Sequence, residues 1–104
     1  MENKYKFIIS DTAKRMLGEH IHFLKQINPK IAVAKKEQIM KAMQSLTFQP
    51  ERFPYFNAPE IPANRYRKMF IEKWHIALYQ VKDDTVYVDY ILDCRKEYPW
   101  LIGI

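Results

Sequence analysis

Between Thr47 and Asn64 the chain carries Pro50, Pro54, Pro59 and Pro62. Each removes a backbone donor and biases its predecessor away from helix, so neither a helix nor a central strand can run through this stretch. The chain is thereby split into two halves whose hydrophobic periods are read separately. The same stretch holds Phe48, Phe53, Tyr55 and Phe56. A loop with that many aromatics packs against its own domain instead of serving as a linker, because each ring left in water forfeits the gain of burial.

Ahead of the prolines, Tyr5, Phe7 and Ile9 alternate with Lys4, Lys6 and Ile8, which predicts a first strand with one apolar face. Ser10 or Asp11 supplies an N-cap oxygen for a helix over 12–27, where Ala13, Met16, Leu17, His20, Ile21 and Leu24 recur at spacings of three and four. Asn28-Pro29 stops it. A second helical pattern buries Ala32, Ile39, Met43 and Leu46 and turns Lys35, Lys36 and Lys41 to solvent; the short break implies an antiparallel helical hairpin. Behind the prolines the period changes to two. Strands are predicted over 65–71, 74–81 and 85–92, with a turn at Lys82-Asp83-Asp84. The order β, α, α, β, β, β describes an α+β fold. An N-terminal strand and a helical hairpin precede a three-strand antiparallel meander, with the helices on one face of the sheet. The other face is left partly open, and a binding site is expected there.

Residues 1–104 suit one domain, without internal repeats or boundary. The net charge of +5 and pI of about 9.3 point to polyanions or acidic proteins as partners. A lone cysteine, Cys94, forms no internal disulfide and no thiolate zinc site, and is expected to be small and buried. The start Met-Glu-Asn-Lys-Tyr-Lys lacks the apolar stretch of a signal peptide, and no apolar run reaches the roughly 20 residues that cross a bilayer. A cytoplasmic protein with no membrane partner is the expectation. No glycine-rich phosphate loop is present, and neither cofactor nor metal is expected: His20 and His22 have no ligand at metal-site spacing along the chain.

The run Tyr66-Arg67-Lys68-Met69-Phe70, the strand Trp74-His75-Ile76-Ala77-Leu78-Tyr79-Gln80-Val81, and the turn Asp83-Asp84 are followed by Val86-Tyr87-Val88 and the tail Asp93-Cys94-Arg95-Lys96-Glu97-Tyr98-Pro99-Trp100. Together they resemble the three C-terminal strands and tail of the RelE/ParE toxin superfamily, the plasmid stabilisation proteins of type II toxin–antitoxin modules. The resemblance spans nearly the whole chain. It implies a growth-inhibiting toxin, a cognate antitoxin as partner and a toxin–antitoxin hetero-oligomer. Two mechanisms come with it. RelE-like members are mRNA interferases, metal-independent endoribonucleases acting at the ribosome, whereas ParE-like members inhibit DNA gyrase.

RNA cleavage without a metal needs bases, acids and cations gathered around one phosphate. Arg67 matches one basic position of the RelE-like pattern, but Met69 stands at the second and Ile76 replaces an arginine. Ile76 and the tail from Cys94 to Pro99 resemble the ParE-like branch, and the balance leans to gyrase inhibition. A nuclease would use Arg67 and Arg95 for charge stabilisation and Tyr98 or, less aptly, His75 for proton transfer; an inactive relative is a third reading. Arg65, Arg67, Lys68, Arg95, Lys96 and Trp100 are the residues expected to bind target or nucleic acid. Each has a plain alternative. Arg95 pairs with Asp93 or Glu97, the basic residues of 65–68 form a solvated strand face, and Tyr98 and Trp100 belong to an apolar tail on the body. His75 alternates away from Trp74 and Ile76, which aims it at the helices as a core histidine.

Overall fold

A computed structural model describes residues 4–57, 62–72 and 74–96. The elements are β1 (Lys6–Ile9), α1 (Asp11–Ile27), α2 (Pro29–Gln44), β2 (Arg67–Ile71), β3 (His75–Lys82) and β4 (Thr85–Asp93), with 3-10 turns at Ser45–Thr47 and Pro50–Arg52.

Local chemistry sets the helix ends. Ser10 Oγ accepts from the Ala13 amide at 3.0 Å and itself donates to the Asp89 carbonyl at 2.8 Å, so one cap starts α1 and ties it to β4. Asn28 ends one helix and begins the next: its amide donates to the Leu24 carbonyl, and its side chain accepts from the Lys30 and Ile31 amides. Pro29 occupies the first helical position of α2, where its missing N–H costs nothing. One residue thus links the two helices.

The sheet order is β1-β4-β3-β2. As expected, β2, β3 and β4 form an antiparallel meander, and the hairpin covers one sheet face. The sheet as a whole is mixed, because β1 lies parallel to β4 from Lys6↔Thr85 to Ile9↔Val88. A parallel pair needs a long crossover, and here everything between β1 and β4 serves as one. Asp83 turns the β3–β4 connection with φ 55°, a left-handed conformation that aspartate tolerates better than most residues.

The helix face of the sheet carries Met69 and Ile71, Ala77 and Tyr79, and Val86, Val88 and Ile91, all buried against Ala13, Met16, Leu17, Ile39, Met43 and Leu46. A bulge interrupts β4: the register passes from Leu78↔Tyr90 to Tyr79↔Val88, leaving Asp89 as the extra residue. Its carboxylate accepts from the Tyr66 hydroxyl at 3.1 Å and from Gln80 Nε2 at 2.7 Å. Burial first, and then the Asp89 charge, push the Tyr66 phenol up to about 12.

Candidate functional site

Arg67 opens β2 opposite Tyr79, on the helix side of the sheet, where the proline-rich segment covers that end. Its guanidinium donates to the Glu51 carbonyl at 3.1 Å, the Phe53 carbonyl at 2.7 Å and the Tyr55 hydroxyl at 3.1 Å, and lies 4.1 Å from the centre of the Tyr55 ring. Beside it the Tyr79 hydroxyl donates to the Pro50 carbonyl at 2.5 Å. Arg67 therefore clasps a loop whose prolines leave carbonyls without strand partners. Arg65 and Arg67 line one small polar cavity with Glu51 and Tyr55, but the loop carbonyls engage the Arg67 fork there. Met69, two residues on, is 3% exposed in the core. A cation at that position would face the hydrophobic interior, not a phosphate.

On the other sheet face, register places Phe70, Ile76 and Leu92 in one row and Lys68, Leu78 and Tyr90 in the next. Lys68 Nζ sits 6.0 Å from the Phe56 ring centre and 5.8 Å from that of Phe70, while Arg65 lies 5.7 Å above Tyr66. The position expected to carry an arginine is thus the middle of an apolar row, between exposed Phe70 and buried Leu92. Cations stand on aromatic faces at its margin, where each such contact contributes about 0.5–1 kcal/mol.

The second cluster forms where β3 begins and β4 ends. Arg95 donates through Nε at 3.0 Å and Nη2 at 2.8 Å to the two carboxylate oxygens of Asp93, and its amide adds a third bond at 2.9 Å. Those hydrogen bonds hold the Asp93 carboxyl down at about 2, against the opposing effect of burial. The guanidinium also lies 5.0 Å from the Trp74 ring centre. The salt bridge to Asp93 is therefore formed, and it leaves the arginine's outer surface exposed over an exposed tryptophan.

Trp74 and Arg95 border a cavity of about 500 Å³ lined also by Phe23, Leu24, Ile27 and Lys35, with Lys96 at its edge. Phe23 and Ile27 are largely exposed, so apolar surface and cations are interleaved around one opening. At its base His20 of α1 meets His75 of β3, their ring centres 5.0 Å apart and nearly perpendicular, with Asp93 beside them. Burial is the main cause lowering both imidazole pKa values, reinforced at His20 by Lys96 and at His75 by His20. His75 is thus the core histidine that strand alternation implied.

Lys96 is exposed at the end of the described chain. Tyr98, Trp100 and the apolar tail lie outside the described residues, as does Glu97. Cys94 is exposed, contrary to the expectation of burial: its amide bonds the Trp74 carbonyl at 2.6 Å, but its side chain has left the strand pattern. Sequence reasoning assigned His20 no chemistry because it looked for ligands along one helix. The residues that meet it come from β3 and β4, and only the direction of His75 hinted at the encounter.

A helix-covered sheet whose surfaces interleave aromatics with cations defines a small basic α+β domain. Residues 7–98 match the family described as ParE toxin of type II toxin-antitoxin system, parDE, and the chain belongs to that family. It is a toxin of the RelE/ParE superfamily. Among solved structures it is similar to one titled "Chromosomal ParDE TA system from P. aeruginosa", with 17% identity, a TM-score of 0.70, and coverage of 88% of this chain and 97% of that one. That likeness shows the shared fold. No curated protein sequence matches the chain. No helix among the described residues is long and apolar enough to cross a membrane.

Proposed function

We propose that this toxin arrests bacterial growth by docking onto DNA gyrase in the cytoplasm, and that a cognate antitoxin neutralises it in a hetero-oligomeric complex. The observation that carries this reading is the composition of the sheet face turned away from the helices, where Phe70 is exposed. Ile76 lies in an apolar row with Phe70 and Leu92, while Arg67 is bound to the loop. Phosphoryl transfer gains from preorganised cations at the scissile phosphate, each worth on the order of 10² to 10³ in rate. Apolar rows rimmed by cations on aromatic rings suit a protein surface instead. The cavity rim of Phe23, Ile27, Trp74, Arg95 and Lys96 fits an amphipathic, acidic antitoxin segment, with apolar anchoring supplying affinity and charge speeding association.

The test uses one protein preparation for two assays. Purified toxin is added to gyrase supercoiling reactions, and RNA 5′ ends are mapped within minutes of induction in cells. Loss of supercoiling, with messages intact early in the arrest, is expected. Codon-phased cuts with gyrase unaffected at excess toxin would overturn the reading and make Arg95 and Tyr98 the nuclease candidates. Normal growth at high levels of folded protein would leave an inactive relative.

A further inference from the structure

We propose that His20, His75 and Asp93 form a binding site for a divalent metal of the zinc class, which fastens α1 to the adjoining ends of β3 and β4. One ligand atom from each residue lies within 4.8 Å of the other two. Two of these groups are otherwise unexplained. His20 Nε2 and His75 Nδ1 are both shielded from solvent without a hydrogen-bond partner, and His75 is only 4% exposed. An unmade hydrogen bond on a buried polar atom costs about 1–3 kcal/mol, and here two occur side by side, next to a carboxylate.

The surroundings prepare these groups as ligands. The Ile91 carbonyl interacts favourably with the His20 ring; a proton on the Nδ1 side leaves a lone pair at the bare Nε2, the arrangement in which metal-binding histidines are commonly held. Asp93 is fixed by the Arg95 fork and amide, which orients its carboxylate as an outer-shell partner does. Two imidazoles and one carboxylate form a set suited to zinc and its neighbours rather than to magnesium or calcium, which prefer oxygen. Nearby positive charge opposes any divalent ion, so the affinity has to come from the nitrogen ligands. Lys35, although paired with Glu72, lines the cavity with Arg95 and Lys96, a repulsion that falls equally on zinc, magnesium and calcium and that only the nitrogen ligands of zinc offset.

Donors around a tetrahedral zinc ion stand roughly 3.3 Å apart, given bonds of about 2.0 Å. The cluster must therefore tighten by about 1.5 Å at its widest, within reach of small side-chain rotations. All three residues line the cavity, which gives water access to a fourth position. The inference is independent of the toxin's target.

The experiment measures Zn²⁺ binding by calorimetry on the full chain after chelator treatment and dialysis, and Co²⁺ binding by its visible absorption. One saturable site per chain is expected, with Co²⁺ bands of low-coordinate nitrogen and oxygen ligation. His20→Gln and His75→Gln should each weaken binding at least about 100-fold, while His22→Gln leaves it unchanged. At free Zn²⁺ about 100 times its Kd, melting should rise by roughly 10 °C or more in the wild type but not in His20→Gln. His20 is half-buried on a helix that glutamine favours, so this variant decides the matter if His75→Gln fails to fold. No saturable Zn²⁺ binding up to millimolar concentration overturns the proposal. Binding abolished by His22→Gln and retained by His20→Gln also overturns it.

Discussion

Replacing Arg67 by alanine should act on the fold before it acts on any target. The bond to the Phe53 carbonyl, at 2.7 Å and partly buried, is the strongest of the three that the side chain makes. A charged donor in such a place contributes about 1.5–3 kcal/mol. The contacts to Glu51 and Tyr55 are exposed and add tenths, and the guanidinium over the Tyr55 ring adds about 0.5–1 kcal/mol. The sum for Arg67→Ala is a loss of about 2–4 kcal/mol, or a fall of roughly 10–30 °C in Tm for a domain of this size. Arg67→Lys separates structure from charge. An ammonium keeps the charge but cannot span two carbonyls and a hydroxyl as a planar fork does, so Lys should still lose about 1–2 kcal/mol. Urea denaturation followed by circular dichroism measures both, with the m-value checking that the unfolded state is unchanged. Unfolding midpoints equal to wild type for both variants, or full rescue by lysine, would refute the assignment of Arg67 to the loop.

Tyr79→Phe removes the buried hydroxyl that satisfies the Pro50 carbonyl and should cost about 1–2 kcal/mol in the same assay. Gln49 holds φ 46°, where a side chain is strained by roughly 1–2 kcal/mol; glycine relieves that but costs about 0.5–1 kcal/mol in chain entropy, so Gln49→Gly should stabilise by a few tenths to 1 kcal/mol in thermal melts. The folded state lowers the His20 and His75 pKa values, so the unfolded chain takes up protons first on acidification. Their contribution is present above the ordinary value of 6.5 and is lost as pH falls below it; melts in chelator between pH 7.5 and 5 should fall, and less steeply in His20→Gln. Asp93, held at about 2, keeps its ion pair through that window, so loss of the pair should appear only between about pH 4 and 2.

The parts legible in the sequence are those settled by neighbours along the chain. Asn28-Pro29 specifies both helix ends within one turn, and the alternation of Tyr5, Phe7 and Ile9 gives a strand whose inward side chains lie against the core. The placement of β1 was not legible. Nothing local says which strand it joins, and its partner lies about eighty residues away, beyond the hairpin, the prolines and two other strands. The same distance rule divides the candidate site. Arg95 meets Asp93 two residues off, and that pairing was readable; Arg67 bonds carbonyls 14 and 16 residues upstream, and it was not.

Alternation puts Arg67 and Met69 on one side of β2, and the register shows that side to face the helices. Open faces attract cations in sequence reasoning because water solvates them. A proline-rich cover reverses that expectation: the Glu51 and Phe53 carbonyls lie outside the ladder, and one guanidinium satisfies both. Once Arg67 is committed there, the adjacent alternate set of Lys68, Phe70, Ile76 and Leu92 is the one turned away from the helices, with Phe70 exposed, Leu92 buried and Lys68 its only charged member. The face left for a target is therefore aromatic and aliphatic, with charge at its edge. Its recognition should depend weakly on salt compared with that of an RNA backbone, where each neutralised phosphate steepens the salt response.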